Sequence, residues 1–256
     1  MTQATVNPRS GPAPPPFARS PPRLRGMEIP AADGPETAEP RRRGRPPRPV
    51  LSREKITTAA LAVIRRAGYE GLTMAALARE LRTAPSALYN HVKSKDEVLN
   101  WVQDDVNEAI DTSGFEEGPW DLALTRWAHS YRDAFARHSP LIPVIAVLPI
   151  TGAPNTLAMY ERVAGGLRTG GWPEDLVVDV IVAVESFVLG SAMDVSAPEW
   201  IFDVGDRRDL APTFADAVAA RPRRGAAAAD DAFGLGLTAL VAGLRGTLAA
   251  VRATRA

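Results

Sequence analysis

Between Thr83 and Lys95 the chain carries Thr83, Ser86, Tyr89, Asn90, His91, Lys93 and Lys95 in close succession. Their hydroxyls, phenol, carboxamide, imidazole and ammonium groups can all donate to an anionic oxygen. The carboxamide of Asn90 can pair in a bidentate manner with an adenine edge, Thr83 or Ser86 can offer a hydroxyl to several bases, and Ala84 and Ala87 can touch a thymine methyl. This is chemistry for holding a polyanion and reading its base edges. Bond-making chemistry has no comparable footing: there is no GxSxG elbow, no Ser-His-Asp motif, no paired-carboxylate signature and no P-loop. Gly234-Leu235-Gly236 matches part of a nucleotide fingerprint but lacks the strand that must precede it. Neither enzymatic activity nor a cofactor is expected.

Short helices must position those side chains. Met74, Leu77, Ala78 and Leu81 recur at helical spacing and require burial on one face, and Leu88 and Val92 supply the same need one helix later. Thr73 is placed to cap the first of the two, Arg82-Thr83-Ala84 makes a tight turn, and Pro85 suits the first position of the second. That is the layout of a helix-turn-helix whose second helix enters a major groove. Upstream, Ser52 reads as an N-cap for a helix with the apolar stripe Ile56, Ala59, Ala60, Val63, Ile64 and Ala67, ended by Gly68. Downstream, Ser94-Lys95-Asp96-Glu97 reads as a capping box opening a fourth helix to about Asp111.

Charge follows the same division. The formal net charge is zero, yet residues 41–100 hold 13 Lys/Arg against 5 Asp/Glu, whereas residues 101–256 hold 13 against 21. A basic block beside an acidic remainder implies a polyanionic partner for one region only; the plainer alternative is a chance cluster of solvated charges. The chain has no cysteine, so disulfides and thiolate chemistry are excluded. With no apolar leader, and no window near the roughly 18 uninterrupted apolar residues of a membrane span, a soluble, cytoplasmic protein with no membrane partner is expected.

Residues 1–49 read as a disordered Pro/Arg-rich arm, because the first 50 residues hold 13 of the 23 prolines and little apolar periodicity. A start at Met27 would leave the folded part intact, so residues 1–26 are expected to be dispensable. The arm ends in Arg41-Arg42-Arg43-Gly44-Arg45-Pro46-Pro47-Arg48, whose RGRP core resembles an AT-hook able to place Arg43 and Arg45 in a narrow A·T minor groove. A generic counterion-releasing tail is the alternative; the position directly before the first helix favours the groove.

Residues 50–97 read as a helix-turn-helix DNA-binding domain, and residues 50 to about 100, through Leu72-Thr73, Leu77-Ala78, Leu81, Leu88-Tyr89, His91-Val92-Lys93 and Lys95, resemble the DNA-binding head of the tetracycline-repressor (TetR) family of transcriptional regulators. Arg82 stands where such heads usually have glycine, and Thr83 where they usually have valine; Arg82 must then adopt a left-handed conformation, or the turn must differ. The resemblance implies that Tyr89, Lys95 and Thr73 bind phosphates and that the recognition helix meets bases. Tyr89 is otherwise a core-edge aromatic, Lys95 a solvated lysine in a capping box, and His91 a packing or phosphate-contacting residue.

Residues 98–256 are expected to form an all-helical effector-binding and dimerisation body, with helices at 120–137, 139–148, 154–168, 173–193 and 231–252 and a short one near 214–220. Trp127, Tyr131, Phe135, Met159 and Phe187 are candidate linings of an apolar pocket, against the alternative of ordinary core packing. His129 and His138 have no histidine partner at metal-ligand spacing, so no metal is expected, and the magnesium-and-histidine set of tetracycline-binding members has no equivalent. The helix at 173–193 is apolar over more than one stripe and that at 231–252 is rich in Gly and Ala, which permits close approach, so the two are the expected dimer surface. The leading expectation is a homodimeric repressor released from a double-stranded DNA operator by a small apolar or amphipathic effector. The alternative is a ligand-independent architectural DNA-binding protein, which needs no hollow body.

Overall fold

Residues 51–221 and 226–255 are described by the structure, a computed structural model. The arm, including Arg43 and Arg45, lies outside the described residues. Every regular element among the described residues is helical, as the all-α expectation requires.

The first helix, α1 (Arg53–Gly71), begins where Ser52 accepts the Lys55 N–H. Its regular part stops at Gly68, where φ of 68° and ψ of 179° leave the helical region; a side chain there would be strained. Thr73 caps α2 (Met74–Glu80) by accepting the Ala76 N–H at 3.0 Å, and Pro85 opens α3 (Pro85–Tyr89). In α4 (Lys95–Glu108) the capping box forms in a shifted version: Ser94 accepts the Glu97 N–H at 3.1 Å, while the Glu97 carboxylate reaches past the cap to the Lys93 N–H at 2.7 Å. The expected boundary between residues 97 and 98 falls inside α4, which packs on α1 at one side and on the body at the other.

The body comprises α5 (Gly114–Glu117), α6 (Trp120–Ala136), α7 (Ile142–Ile145), α8 (Pro154–Thr169), α9 (Glu174–Asp194), α10 (Pro212–Ala220) and α11 (Ala226–Arg255). The helix expected at 139–148 is broken into a 3-10 turn and the short α7, because Pro140 and Pro143 lack N–H groups and fit only a first turn. Conversely, α11 starts earlier than expected, in an alanine run with high helix propensity. The short α5 has no sequence periodicity of its own; it exists because Phe115, 8% exposed, seats against Gly166 of α8, where an added Cβ would meet the ring at 2.4 Å. One contiguous apolar core runs from Ile56 and Leu77 in the head through Val102 of α4 to Trp127, Val163, Val184 and Leu237 in the body.

Candidate nucleic-acid interface and the body behind it

Leu88 and Val92 are buried, and that fixes which side of α3 looks outward. On the outward side Ser86, Asn90 and His91 are exposed, Tyr89 is 52% exposed, and Thr83 and Ala87 are partly so. Thr73 is also exposed, with its oxygen accepting from Ala76 and its hydroxyl hydrogen available to a further acceptor. Thus Thr73 at the start of α2, Thr83 in the turn, Ser86, Ala87 and Tyr89 on α3, and Asn90 and His91 just beyond its end, where the sequence pattern had the helix continue, form an exposed polar ridge on an apolar base. The core-edge alternative for Tyr89 finds little support in a side chain so open to solvent. Lys95 is placed differently from the expectation: its ammonium donates to the Tyr69 carbonyl at 3.2 Å and lies 3.5 Å from the Tyr69 ring centroid. A phosphate contact by Lys95 must share or displace that partner.

The turn accommodates Arg82 at a cost. Arg82 has φ of 52°, the left-handed conformation, while the Thr83 N–H reaches the Ala78 carbonyl at 2.9 Å and the Arg82 N–H reaches Arg79 at 3.1 Å. This is the helix-ending motif that glycine normally serves. Because a left-handed non-glycine residue costs roughly 1–2 kcal/mol, Arg82→Gly should raise the unfolding free energy by about 1 kcal/mol. Chemical denaturation of the two proteins checks this, and equal midpoints would show the turn to be unstrained.

Besides the shared apolar core, a buried carboxylate ties the head to the body. Asp104 of α4 has no exposure; its Oδ2 accepts from Arg53 of α1 at 2.7 Å, and its Oδ1 accepts the Thr156 N–H at 3.0 Å. Thr156 lies in the first turn of α8, whose own N-cap, Ala153, has no side-chain acceptor to offer. Asp104 therefore caps α8 from a neighbouring helix. Asn107 donates to the Thr156 hydroxyl at 2.8 Å and completes the junction.

Within the body, Trp127, Tyr131 and Phe135 line one face of α6, with ring centroids 5.3 and 5.0 Å apart, and Met159 joins the same core. Phe187 stacks on Phe233 of α11 at 5.4 Å and 10°. Trp127, Tyr131, Phe135 and Met159 are buried in the apolar core and Phe187 packs against it, and an open cleft of about 400 Å³ lies elsewhere, among Gly171, Trp172, Pro173, Val251, Arg252 and Arg255. Polar groups are set into this apolar centre. The phenols of Tyr131 and Tyr160 both donate to Oε1 of Glu185, at 2.9 and 2.6 Å. Burial pushes the Glu185 carboxyl above the ordinary carboxylate range although both phenols oppose it, and burial beside Glu185 raises both phenols. Arg132, 5% exposed, donates from Nε to Ser191 at 3.0 Å and from Nη1 to Asp230 at 2.7 Å, and its guanidinium lies 4.7 Å from the Phe233 ring. Its Nη2, like Nε1 of Trp127, is buried without an acceptor among the described residues.

Residues 56–102 match the family described as bacterial regulatory proteins, tetR family, and residues 114–248 match the tetracyclin repressor-like C-terminal domain. The chain belongs to the TetR family. Its relatives include the HTH-type transcriptional repressor DrrR1 of Streptomyces coeruleorubidus, 31% identical over 153 residues that cover 59% of this chain and 56% of the relative. An HTH-type transcriptional regulator of Saccharopolyspora erythraea is 30% identical over 165 residues, covering 64% of this chain and 69% of the relative. Among solved structures, the TetR family protein ActR of Streptomyces coelicolor in complex with actinorhodin superposes with a TM-score of 0.61 at 26% identity, over 77% of this chain and 96% of ActR.

In this TetR chain the head residues were legible from their spacing, whereas Asp104, Arg132, Tyr160, Glu185 and Phe233 were not singled out by any motif. One signal was present. Glu185 interrupts the apolar face of α9 between Ile181, Val184 and Val188, and a lone carboxylate in that setting needs buried donors. Since the carboxyl is raised on folding, its contribution to stability is full in acid and is lost as pH climbs through the folded pKa. Glu185→Gln should remove that decline while keeping an acceptor for both phenols. Melting curves of both proteins from pH 4 to 8 check it, and parallel pH profiles would contradict the assignment.

Proposed function

We propose that the protein is a homodimeric transcriptional repressor that binds an operator through α2, α3 and their turn and leaves it when a small apolar or amphipathic effector enters the body. The observation that carries the reading is the ridge of exposed donors on and around α3, set on the buried Leu88 and Val92. In that role Tyr89, Thr73, Lys95 and His91 hold phosphates, while Thr83, Ser86, Ala87 and Asn90 face base edges. Arg43 and Arg45 extend the contact into the adjacent minor groove on sequence grounds. Asn90→Ala should lose about 1–3 kcal/mol of discrimination at one base position and leave affinity for other duplexes unchanged. Binding to a panel of single-base operator variants reads this; a uniform loss would reassign Asn90 to the backbone.

Dimerisation is supported by what α9 and α11 leave uncovered. Each turns one face to the core and presents a second stripe outward: Val178, Val182 and Met193 on α9, and Leu235, Ala239, Ala242 and Gly246 on α11. A Cβ added at Gly190, Gly243 or Gly246 would meet nothing within 4 Å, so their own chain does not require these glycines. Both helices are long and apolar enough to cross a membrane by length and composition alone. Their outward stripes instead fit a four-helix seam between two copies, where small residues allow close approach.

The effector acts by population shift: it must bind better to the conformer whose two heads no longer match major grooves one turn apart, about 34–36 Å. ActR has been solved with actinorhodin bound, which supports a ligand-receiving body here. Trp127, Tyr131, Phe135, Met159 and Phe187 supply its apolar surface, and Glu185 and the unpartnered Nη2 of Arg132 its polar anchors. The test is to bind the protein to a selected duplex and screen amphipathic compounds for release by fluorescence anisotropy. Release by a subset, weakened by Trp127→Phe or Glu185→Gln, is expected; a complex indifferent to every compound favours the architectural alternative.

A further inference from the structure

The cations of the head divide into those the fold uses and those it does not. Arg53 pairs with Asp104 and Asp105, Arg66 pairs with Glu80, and Lys95 donates to the Tyr69 carbonyl. The side chains of Arg79, Arg82 and Lys93 are exposed and meet no hydrogen-bond, ion-pair or ring partner among the described residues. Arg79 has a local reason for its place, since a cation in the last turn of α2 is favoured by the helix dipole. Lys93 stands in ordinary backbone. Arg82 has neither excuse: among the described residues it is the non-glycine residue held in the left-handed region, with φ of 52°. The fold pins it there, because the Thr83 and Arg82 N–H groups close onto the Ala78 and Arg79 carbonyls and the strain cannot relax without opening the end of α2.

A side chain that the fold strains and gives no contact in return points to a partner outside the protomer. Its position selects that partner. Arg82 lies in the turn between α2 and α3, and Ala84, Pro85 and Ser86 just beyond it are all exposed where the ridge begins. In a helix-turn-helix the first helix crosses the DNA backbone while the second enters the major groove, so the turn that joins them runs past the phosphate edge of the groove. A guanidinium is always charged and offers a planar fork that matches a phosphate. The pinned backbone also fixes where its stem starts, which lowers the ordering cost of the contact. We infer that Arg82 clamps a backbone phosphate at the edge of the operator groove, and that the turn gives up folding stability to place it there. The inference rests on the DNA-binding reading above and adds to it a contact at the strained turn. A phosphate is the same beside every base, so Arg82 sets affinity and register and leaves base preference to α3 and its flanks.

The test uses the full chain and a duplex selected with it from a random pool, with binding read by fluorescence anisotropy over a series of salt concentrations. Arg82→Gly and Arg82→Asn both suit a left-handed turn and remove the charge, whereas Arg82→Lys keeps the charge. With one phosphate released in each of two heads, the glycine and asparagine variants should bind about 10- to 100-fold more weakly near physiological salt. Their plots of log affinity against log salt should be flatter by about two. The loss should be equal for the selected duplex and for its single-base variants, and the lysine variant should keep the wild-type slope. Stability moves the opposite way, since the glycine variant is the more stable protein; a purely structural role for Arg82 predicts that it binds DNA at least as well as wild type. Unchanged affinity and slope in the glycine variant overturn the clamp and leave the DNA-binding reading standing, as does a loss confined to one base position. A wild-type chain that binds no duplex overturns both.

Discussion

Asp104→Ala should lower the unfolding free energy by about 2–4 kcal/mol, because a buried N–H and a cation lose their acceptor together. The two halves of that loss differ. Arg53 retains Asp105 at 3.2 Å and has a third of its side chain in solvent, so its charge is rehydrated cheaply. The Thr156 N–H has no such recourse, since Thr156 is fully buried at the start of a helix without another cap. Most of the cost therefore falls on the first turn of α8. Asp104→Asn separates the contributions: its carboxamide oxygen still accepts from Thr156, while the charge facing Arg53 is gone. It should cost less than half as much. Thermal melts of the three proteins check the order, and a ranking with asparagine equal to alanine would place the energy in the ion pair instead. Because the same group joins α1, α4 and α8, the alanine variant should also loosen the transmission of body movements to the head, read as a smaller ratio between operator affinities with and without a releasing compound.

Gly246→Glu should convert the proposed dimer to a monomer while leaving the protomer folded. Within one chain the substitution is free of clashes, since a Cβ at Gly246 meets nothing within 4 Å. It also replaces a poor helix former by a good one, worth roughly 0.5–1 kcal/mol in an exposed helix. In the proposed seam it would bury a glutamate from each copy without a counter-charge, for which several kcal/mol of desolvation cost is expected. Sedimentation should then report the single-chain mass, and tight binding to a two-half-site duplex should fall to the level of one head. An intact dimer carrying this glutamate would move the interface off α11.

The head could be read in the sequence because its function and its fold use one pattern. Leu88 and Val92 must face inward, and this alone orients Tyr89, Asn90 and His91 outward. Pro85, Thr73 and Ser94 announce helix starts chemically, so those boundaries agree closely with the structure. Lys95 opens the helix that the capping box predicts, but its approach to Tyr69, 26 residues away, depends on tertiary packing that no local spacing encodes. The body was less legible for the same reason. Helical periodicity located α6, α8, α9 and α11, yet the meeting of Tyr131, Tyr160 and Glu185, and of Arg132 with Asp230, is set by how four helices pack. Pro140 and Pro143 were visible, but the degree to which they break α7 depends on neighbours. The exposed aromatics of residues 200–214 carry no periodic signal, and only their failure to join the core reveals them.

The central claim is that two outward α3 ridges, held in fixed relation by paired bodies, read two half-sites. Selection of bound duplexes from a random pool with the full chain, followed by sequencing, tests it most directly. The account predicts enrichment of an inverted repeat whose half-sites are about one helical turn apart or a multiple of it, protected by two protomers. Recovery of no preferred sequence, or of a single unrepeated half-site bound by one protomer, would contradict it.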